Sequence, residues 1–172
     1  MSAFREGAAV TCPRVDLQRF EPTHATTFNN RSSGELLDDI RPHRDQIRRE
    51  LGLLDGQDEF SWSLWKLPDD VEFPDVDLSV WPREYMQSAG SADRMVIEMR
   101  VFDADSEPHQ LSIGRGGSRE EDPAEPVVYG SYTLRVHPDE IFTADEATEV
   151  YYSYFQTGDI PAGFVTRELD IS

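Results

Sequence analysis

The stretch 143–158, TADEATEVYYSYFQTG, constrains the fold most, because it carries the start and stop signals of one helix. Thr143 is a favourable N-cap residue, and Glu146 stands three positions later, at the spacing of a capping box. In that arrangement the two side chains satisfy backbone N–H groups that the first helical turn leaves free. Gly158 suits the position after a helix, where the backbone often turns left-handed. We therefore predict a helix that begins after Thr143 and ends before Gly158.

Tyrosine and phenylalanine residues line this predicted helix. Apolar side chains that recur every three or four residues are typical of a helix face packed on a core. Tyr152 falls outside that stripe, and a tyrosine at the rim of a core can contact a partner through its polar end. We interpret Tyr152 as a candidate partner-binding residue and the stripe as core. The stripe consists of Ala147, Val150, Tyr151, Tyr154 and Phe155.

Most other hydrophobic segments predict β-strands. The run 95–103, MVIEMRVFD, is the strongest, and HQLSIG at 109–114 is expected to pair with it as a hairpin. Each run is bounded by proline, glycine or acidic residues that favour turns. Further strands are predicted at 8–20, 60–67, 127–136 and 163–171.

An earlier helix is predicted in SSGELLDDIRPHRDQIRREL, 32–51. Ser32 and Glu35 have the spacing of a capping box. Pro42 is expected to kink or split this helix, because proline removes a backbone donor and clashes with the preceding turn. The order of strands, helix, strands, helix and strand favours an α+β fold, a mostly antiparallel sheet with two helices packed on one face.

The length of 172 residues is that of a single domain, which we place at 1–172. Residues 1–7 are expected to be loose, and 115–126, RGGSREEDPAEP, to form a mobile acidic loop. No apolar run approaches the roughly 18 residues of a membrane span, and no secretory signal is evident, so we expect a cytoplasmic protein. A single cysteine, Cys12, excludes an intramolecular disulfide, and we interpret it as structural.

The chain is strongly acidic, with a net charge of −18 from 34 Asp and Glu against 16 Lys and Arg. Such a charge disfavours nucleic acid and anionic membranes as direct partners and favours a basic protein or a cation. All of the basic residues except Lys66 are arginine. An alternative reading is that the acidity is only an adaptation to a salty cytoplasm.

Two acidic clusters are candidate partner-binding sites. Neither has the spacing and central glycine of an EF-hand, and no compact zinc-ligand pattern is present, so we predict no metal and no cofactor. We interpret both clusters as surfaces that face water or a protein. The first comprises Asp69, Asp70 and Glu72, and the second comprises Glu120, Glu121 and Asp122.

The histidines and tryptophans suggest fewer roles. Catalytic triads assemble in space, so an alternative function is a small enzyme that uses a histidine with nearby carboxylates as acid and base. The candidates for that role are His24, His109 and His137. The tryptophans are expected to be at least half buried, with one of them a candidate anchor in an interface. They are Trp62, Trp65 and Trp81.

The segment order over 26–169 resembles a family of immunity proteins from bacterial polymorphic-toxin systems, often paired with deaminase-type toxins. The resemblance rests on the strand pair 95–114, the strand EPVVYGSYTLRV at 125–136, and an acidic helix with "EA" and an aromatic residue. "TG", a proline and a closing strand follow that helix, and FNNRSSGELLDDI resembles the family's entry into its first helix. The closing strand FVTREL departs from the family by lacking a tryptophan.

The resemblance implies no catalytic residues. It implies that the chain binds a cognate toxin domain and covers its active site. Toxins that act on nucleic acid tend to have basic active-site surroundings, which an acidic chain can meet quickly. We therefore predict an immunity protein without enzymatic activity, whose partner is a basic toxin domain.

Overall fold

The computed structural model describes residues 22–170 of the chain. Two α-helices and nine β-strands form in these residues, and short 3-10 helices occupy Phe73–Asp75 and Pro138–Glu140. The helices are α1 (His43–Leu51) and α2 (Ala144–Thr157). The strands are β1 (His24–Phe28), β2 (Ser32–Glu35), β3 (Ser61–Lys66), β4 (Tyr85–Ser91), β5 (Arg94–Phe102), β6 (Pro108–Gly114), β7 (Glu125–Tyr129), β8 (Tyr132–Val136) and β9 (Val165–Glu168).

Seven of the strands form one sheet in the order β2-β1-β3-β4-β5-β6-β9, with every neighbouring pair antiparallel. The strands β7 and β8 pair separately as a hairpin. Both helices pack on one face of the sheet, where Trp62, Ile97 and Tyr151 are completely buried. The predicted α+β class, with two helices on one face of an antiparallel sheet, is confirmed.

The second face of the sheet is covered at two places. The β7–β8 hairpin packs over Ala89 and Val96, and the segment 68–84 packs over Trp65. Between these covers, strand register places one polar side chain on each of the seven strands, because residues directly opposite each other on neighbouring strands point to the same face. We call these residues the polar row: Ser33, Thr27, Ser63, Gln87, Glu98, Ser112 and Arg167.

The predicted helix over 32–51 is wrong in its first half. Asn29 and Asn30 have positive φ angles of 48° and 53°, so they turn the chain into the β1–β2 hairpin. The helix begins only at His43, after Pro42, whose extended ψ of 147° places it outside the helix. Pro42 therefore limits the helix at its start, as its missing donor requires.

One other prediction is corrected, and one strand was not predicted. The single strand predicted at 127–136 is the β7–β8 hairpin, which turns at Gly130 with a φ of 57°. Strand β4 had no alternating pattern to reveal it, because its middle residues are small. The predicted strands at 60–67, 95–103, 109–114 and 163–171 are confirmed with shifts of a few residues. The strand predicted at 8–20, with Cys12, and residues 1–7 all lie outside the described residues.

Helix α2 follows its predicted capping signals. The Thr143 side chain accepts a hydrogen bond from the Glu146 backbone N–H, and the Glu146 carboxylate accepts one from the Thr143 N–H at 2.8 Å. Gly158 ends the helix in the left-handed conformation, at a φ of 76°. The predicted stripe is buried, except that Phe155 is only partly buried. Tyr152 is partly buried and stacks on Phe155 at 6.2 Å between ring centroids.

Candidate functional site

Two adjoining clefts lie at the corner of the sheet where β3 ends. Both are lined by Lys66, Leu67, Pro68 and Asp69, so they adjoin at these four residues, and we call the pair of clefts the corner groove. The cleft next to α2 has a volume of about 520 Å³ and the cleft next to the segment 68–84 a volume of about 550 Å³. We call them the helix-side cleft and the loop-side cleft.

The loop-side cleft contains the first predicted acidic cluster. Asp69, Asp70 and Glu72 all line it, together with the aliphatic side chains of Leu37 and Val71. The segment follows β3 directly and is anchored by Phe73, whose ring lies 6.3 Å from that of buried Trp65. The partly buried Phe73 thus packs the segment against the sheet, and Asp69, Asp70 and Glu72 are exposed.

The helix-side cleft brings together residues that are distant in sequence. Its walls include His24 from the start of β1, Trp81 and Glu84 from the segment before β4, and Tyr154 and Phe155 from α2. The antiparallel order β1-β3-β4 brings the beginnings of β1 and β4 to the end of β3. The last turns of α2 then close the cleft over this edge.

The corner groove is predominantly negative. One cation, Lys66, lines it with five carboxylates, and the Lys66 Nζ lies 2.8 Å from Asp69 Oδ1. The hydrogen bond and charge of Lys66 hold the pKa of Asp69 below its ordinary value. Within residues 22–170 the other four carboxylates form no ion pair. They belong to Glu35, Asp70, Glu72 and Glu84.

His24 is uncharged at neutral pH. Burial, followed by the charges of His43 and Lys66, lowers the pKa of His24 from 6.5 to about 4. Its Nδ1 lies 2.9 Å from the Thr23 hydroxyl, and its ring packs on Phe155 with centroids 4.7 Å apart. A neutral imidazole presents one nitrogen as donor and the other as acceptor.

Tyr154 contributes a polar group without a partner. Its side chain is 7% exposed, and its hydroxyl forms no hydrogen bond with any described residue. Burial, with a smaller contribution from the charge of Glu84, raises the pKa of Tyr154 to about 12. The hydroxyl therefore stays protonated and is able to donate or accept a hydrogen bond in the helix-side cleft.

The second predicted acidic cluster lies elsewhere. Glu120, Glu121 and Asp122 are exposed in the loop between β6 and β7, and none of them lines the corner groove. The start of this loop is held by Arg115, which donates to the Ile141 carbonyl at 2.8 Å, and by Arg119, which pairs with Asp139. The mobility predicted for 115–126 stays a prediction. Tyr152 also lies outside the groove lining.

The three candidate histidines of the enzyme alternative are not brought together. His109 lies between Glu168 and Asp103, at 2.6 Å and 3.3 Å, on the surface beside β9. His137 is buried where β8 ends. Of the three, only His24 lines the corner groove. In the part of the chain that the structure describes, no cluster of three His, Cys, Asp or Glu side chains is arranged to hold a metal ion.

The tryptophans differ in their roles. Trp62 and Trp65 are fully buried on opposite faces of β3, and Trp81 is partly buried at the groove, so all three are at least half buried as predicted. Glu84 and Tyr154 line the site but were not predicted as site residues. In the sequence, Glu84 is an acid beside a proline-rich segment, and Tyr154 is one member of the predicted core stripe.

The comparisons with known proteins identify no relative. No family model matches the chain, and neither the curated proteins nor the solved structures include a significant match. No helix formed by residues 22–170 is long and apolar enough to cross a membrane.

Proposed function

We propose that this chain is an immunity-type protein that binds a basic toxin domain through the corner groove and blocks its active site. The observation that carries the proposal is the groove's composition, five carboxylates with one lysine that is already paired. Complementary charge accelerates association and selects a partner of opposite sign. The resemblance to polymorphic-toxin immunity proteins supports the same function, and the expected compartment is the cytoplasm.

Exposed aliphatic side chains accompany these acids. Leu37 and Val71 line the loop-side cleft and are 43% and 36% exposed. Leu78 and Val80, farther along the segment 68–84, are 50% and 60% exposed. Apolar contacts at the centre of an interface supply much of its affinity, whereas the charges at its rim mainly set the association rate. The corner groove and the segment 68–84 together present both the charged and the apolar side chains of such an interface.

The proposed mechanism is blockade without turnover. A toxin that acts on nucleic acid needs a positively charged active site to bind phosphates. The carboxylates of the groove would compete for the same positive side chains, and the bulk of the sheet would occlude the site. Release of the toxin would then require separation of paired charges and re-exposure of the aliphatic side chains.

The partner is sought by affinity purification of the tagged chain from its native cells. We expect a stoichiometric protein with a basic toxic domain, and co-expression of this chain should restore growth of cells that produce the toxin. Recovery of the folded chain without any such protein would overturn the proposal.

Two double variants locate the binding surface. The first variant, Asp70→Asn with Glu72→Gln, removes two negative charges from the corner groove. The second variant, Glu120→Gln with Glu121→Gln, removes the same charge from the other acidic cluster. We expect the variant of Asp70 and Glu72 to lower the association rate constant at least about threefold. The variant of Glu120 and Glu121 should change that rate constant less. Equal effects would show that net charge, and not the groove, steers the encounter.

The enzyme alternative has one observation in its favour, since His24 shares a cleft with Asp69 and Glu84. However, a histidine with a pKa of about 4 is a weak proton acceptor at neutral pH. The salt-adaptation alternative predicts that the isolated chain unfolds at about 10 mM salt, where charges interact over roughly 30 Å. Circular dichroism across a salt series tests that alternative directly.

A further inference from the structure

We propose that the helix-side cleft binds a guanidinium group, presented by an arginine side chain of the basic partner. This inference rests on the proposed function and gives it a specific anchor. The cleft places a carboxylate, a neutral imidazole and an unpartnered phenol around one cavity of about 520 Å³. These groups belong to Glu84, His24 and Tyr154.

The acceptors suit a donor-rich cation. Glu84 Oε1 accepts the Phe102 backbone N–H at 3.2 Å, which fixes the carboxylate and leaves its second oxygen for a ligand. The Nδ1 of His24 is near the Thr23 hydroxyl, so its Nε2 is the nitrogen without a partner among the described residues. Nε2 is an acceptor in the tautomer whose Nδ1–H donates to that hydroxyl. The Tyr154 hydroxyl supplies a third acceptor from a side chain that is 93% buried, since 7% is exposed.

An aromatic surface is available beside these acceptors. Trp81 lines the cleft and is partly buried, and it makes no ring contact with any residue between 22 and 170. The ring of Phe155, in contrast, already packs against His24 and His43. A guanidinium plane stacks favourably on an indole, the best aromatic partner for a cation.

The charges of the cleft select against an anion. Lys66 is paired with Asp69, and Glu84 has no cationic partner in the described part of the chain. A phosphate or carboxylate ligand would therefore meet an uncompensated negative charge. A guanidinium has five donors in a fixed plane and is able to reach separated acceptors, whereas an ammonium group is compact and more strongly hydrated.

The test uses a small probe and needs no toxin. N-acetyl-arginine N-methylamide is titrated into the isotope-labelled full chain, and amide shifts are followed by NMR at Thr157 and Gly158, which line the cleft. The matched control is the citrulline analogue, which keeps the shape of the probe and removes its charge. The lysine analogue distinguishes a guanidinium site from a general cation site.

We expect saturable shifts with the arginine probe and binding at least about tenfold weaker with the citrulline probe. Glu84→Gln and Tyr154→Phe should each weaken arginine binding, whereas Glu120→Gln, outside the groove, should not. Equal binding of arginine and citrulline, equal binding of lysine, or no saturable shift would overturn the inference.

These outcomes separate the inference from the proposed function. If a basic toxin co-purifies but the arginine probe does not bind, the guanidinium site is wrong and the immunity function stands. If the probe binds selectively but no toxin partner exists, the cleft keeps its chemistry and the proposed function fails. Unchanged far-UV circular dichroism of each variant confirms that a loss of binding is local.

Discussion

The hydroxyl of Tyr151 donates a hydrogen bond to the Ser88 Oγ at 3.0 Å, joining the middle of α2 to the middle of β4. Both residues are completely buried. A small residue at position 88 leaves room for the tyrosine ring, which also packs on Trp62 at 5.1 Å between centroids. The helix is therefore held to the sheet by a polar contact inside an apolar core.

Removal of this hydroxyl should destabilise the fold. We expect Tyr151→Phe to lower the free energy of unfolding by about 1–1.5 kcal/mol, because the buried Ser88 hydroxyl loses its partner. Urea denaturation measures the change. Tyr152→Phe is the control, since that partly buried residue forms no hydrogen bond with any described residue, and it should leave stability nearly unchanged. Equal stability of the two variants would contradict this role of the Tyr151 hydroxyl.

The two asparagines of the β1–β2 turn should respond differently to glycine. Both have positive φ, but the Asn29 Oδ1 also accepts the backbone N–H groups of Phe60 and Ser61, at 3.0 Å and 3.1 Å. Asn29→Gly should therefore cost about 1–2 kcal/mol in thermal or urea unfolding. Asn30→Gly keeps the turn and should be neutral within about 0.5 kcal/mol. Similar losses in both would show that only the turn conformation matters.

Glu140 should make the fold sensitive to acid. It is fully buried, and although burial opposes its ionisation, the hydrogen bonds and charge of Arg167, with the His137 N–H, hold the pKa of Glu140 below 4.5. Its contribution is therefore present above pH 4.5 and is lost as the pH falls through the lower folded pKa. Glu140→Gln should cost about 2–3 kcal/mol at pH 7 and flatten the loss of stability between pH 5 and pH 3.

Glu98 provides the opposite case on the same face of the sheet. Burial is the largest cause and raises the pKa of Glu98, although the Gln110 amide hydrogen-bonds its carboxylate at 2.9 Å. Because ionisation of Glu98 is less favourable in the folded chain than in the unfolded chain, Glu98 lowers the free energy of unfolding as the pH rises above 4.5. Glu98→Gln should increase the free energy of unfolding at pH 7 and leave it unchanged at pH 3. If the free energy of unfolding depended on pH in the same way in Glu140→Gln and Glu98→Gln, both the lowered pKa of Glu140 and the raised pKa of Glu98 would be contradicted.

Association with the proposed toxin should weaken with ionic strength. Steering by exposed charges is screened over about 8 Å at physiological salt, so the association rate constant should fall as salt increases. The variant with Asp70→Asn and Glu72→Gln should show a shallower salt dependence than the native chain in stopped-flow measurements. The same slope in both chains would show that the loop-side cleft does not participate in the encounter.

Sequence patterns predicted those helices and strands that a short stretch of the chain specifies by itself. The caps at Thr143 and Gly158 specify α2, and the apolar alternation of 95–103 specifies β5. The predicted helix over 32–51 failed because the turn at Asn29 and Asn30 outweighed a weak capping pattern. Strand β4 was missed because its middle residues are small, and Ser88 among them contacts Tyr151, which lies in a distant part of the chain.

The candidate site was predictable only in part. The acids at Asp69, Asp70 and Glu72 were found from composition, and their exposure follows from the proline-rich segment. The meeting of Asp69 with His24, Glu84 and Tyr154 depends on strand order, which no local pattern specifies. The second predicted cluster, Glu120, Glu121 and Asp122, is exposed but separate from the groove.

The position of Lys66 has a practical consequence for every experiment on this chain. It is the only lysine, so the sole side-chain amine lies where the two clefts of the corner groove meet. Attachment to a sensor surface through the Lys66 amine would place the tether inside the groove and obscure binding there. Limited acylation can instead map binding. The extent of acylation at Lys66, measured by the mass of the peptide that contains it, reports whether a bound molecule covers the groove.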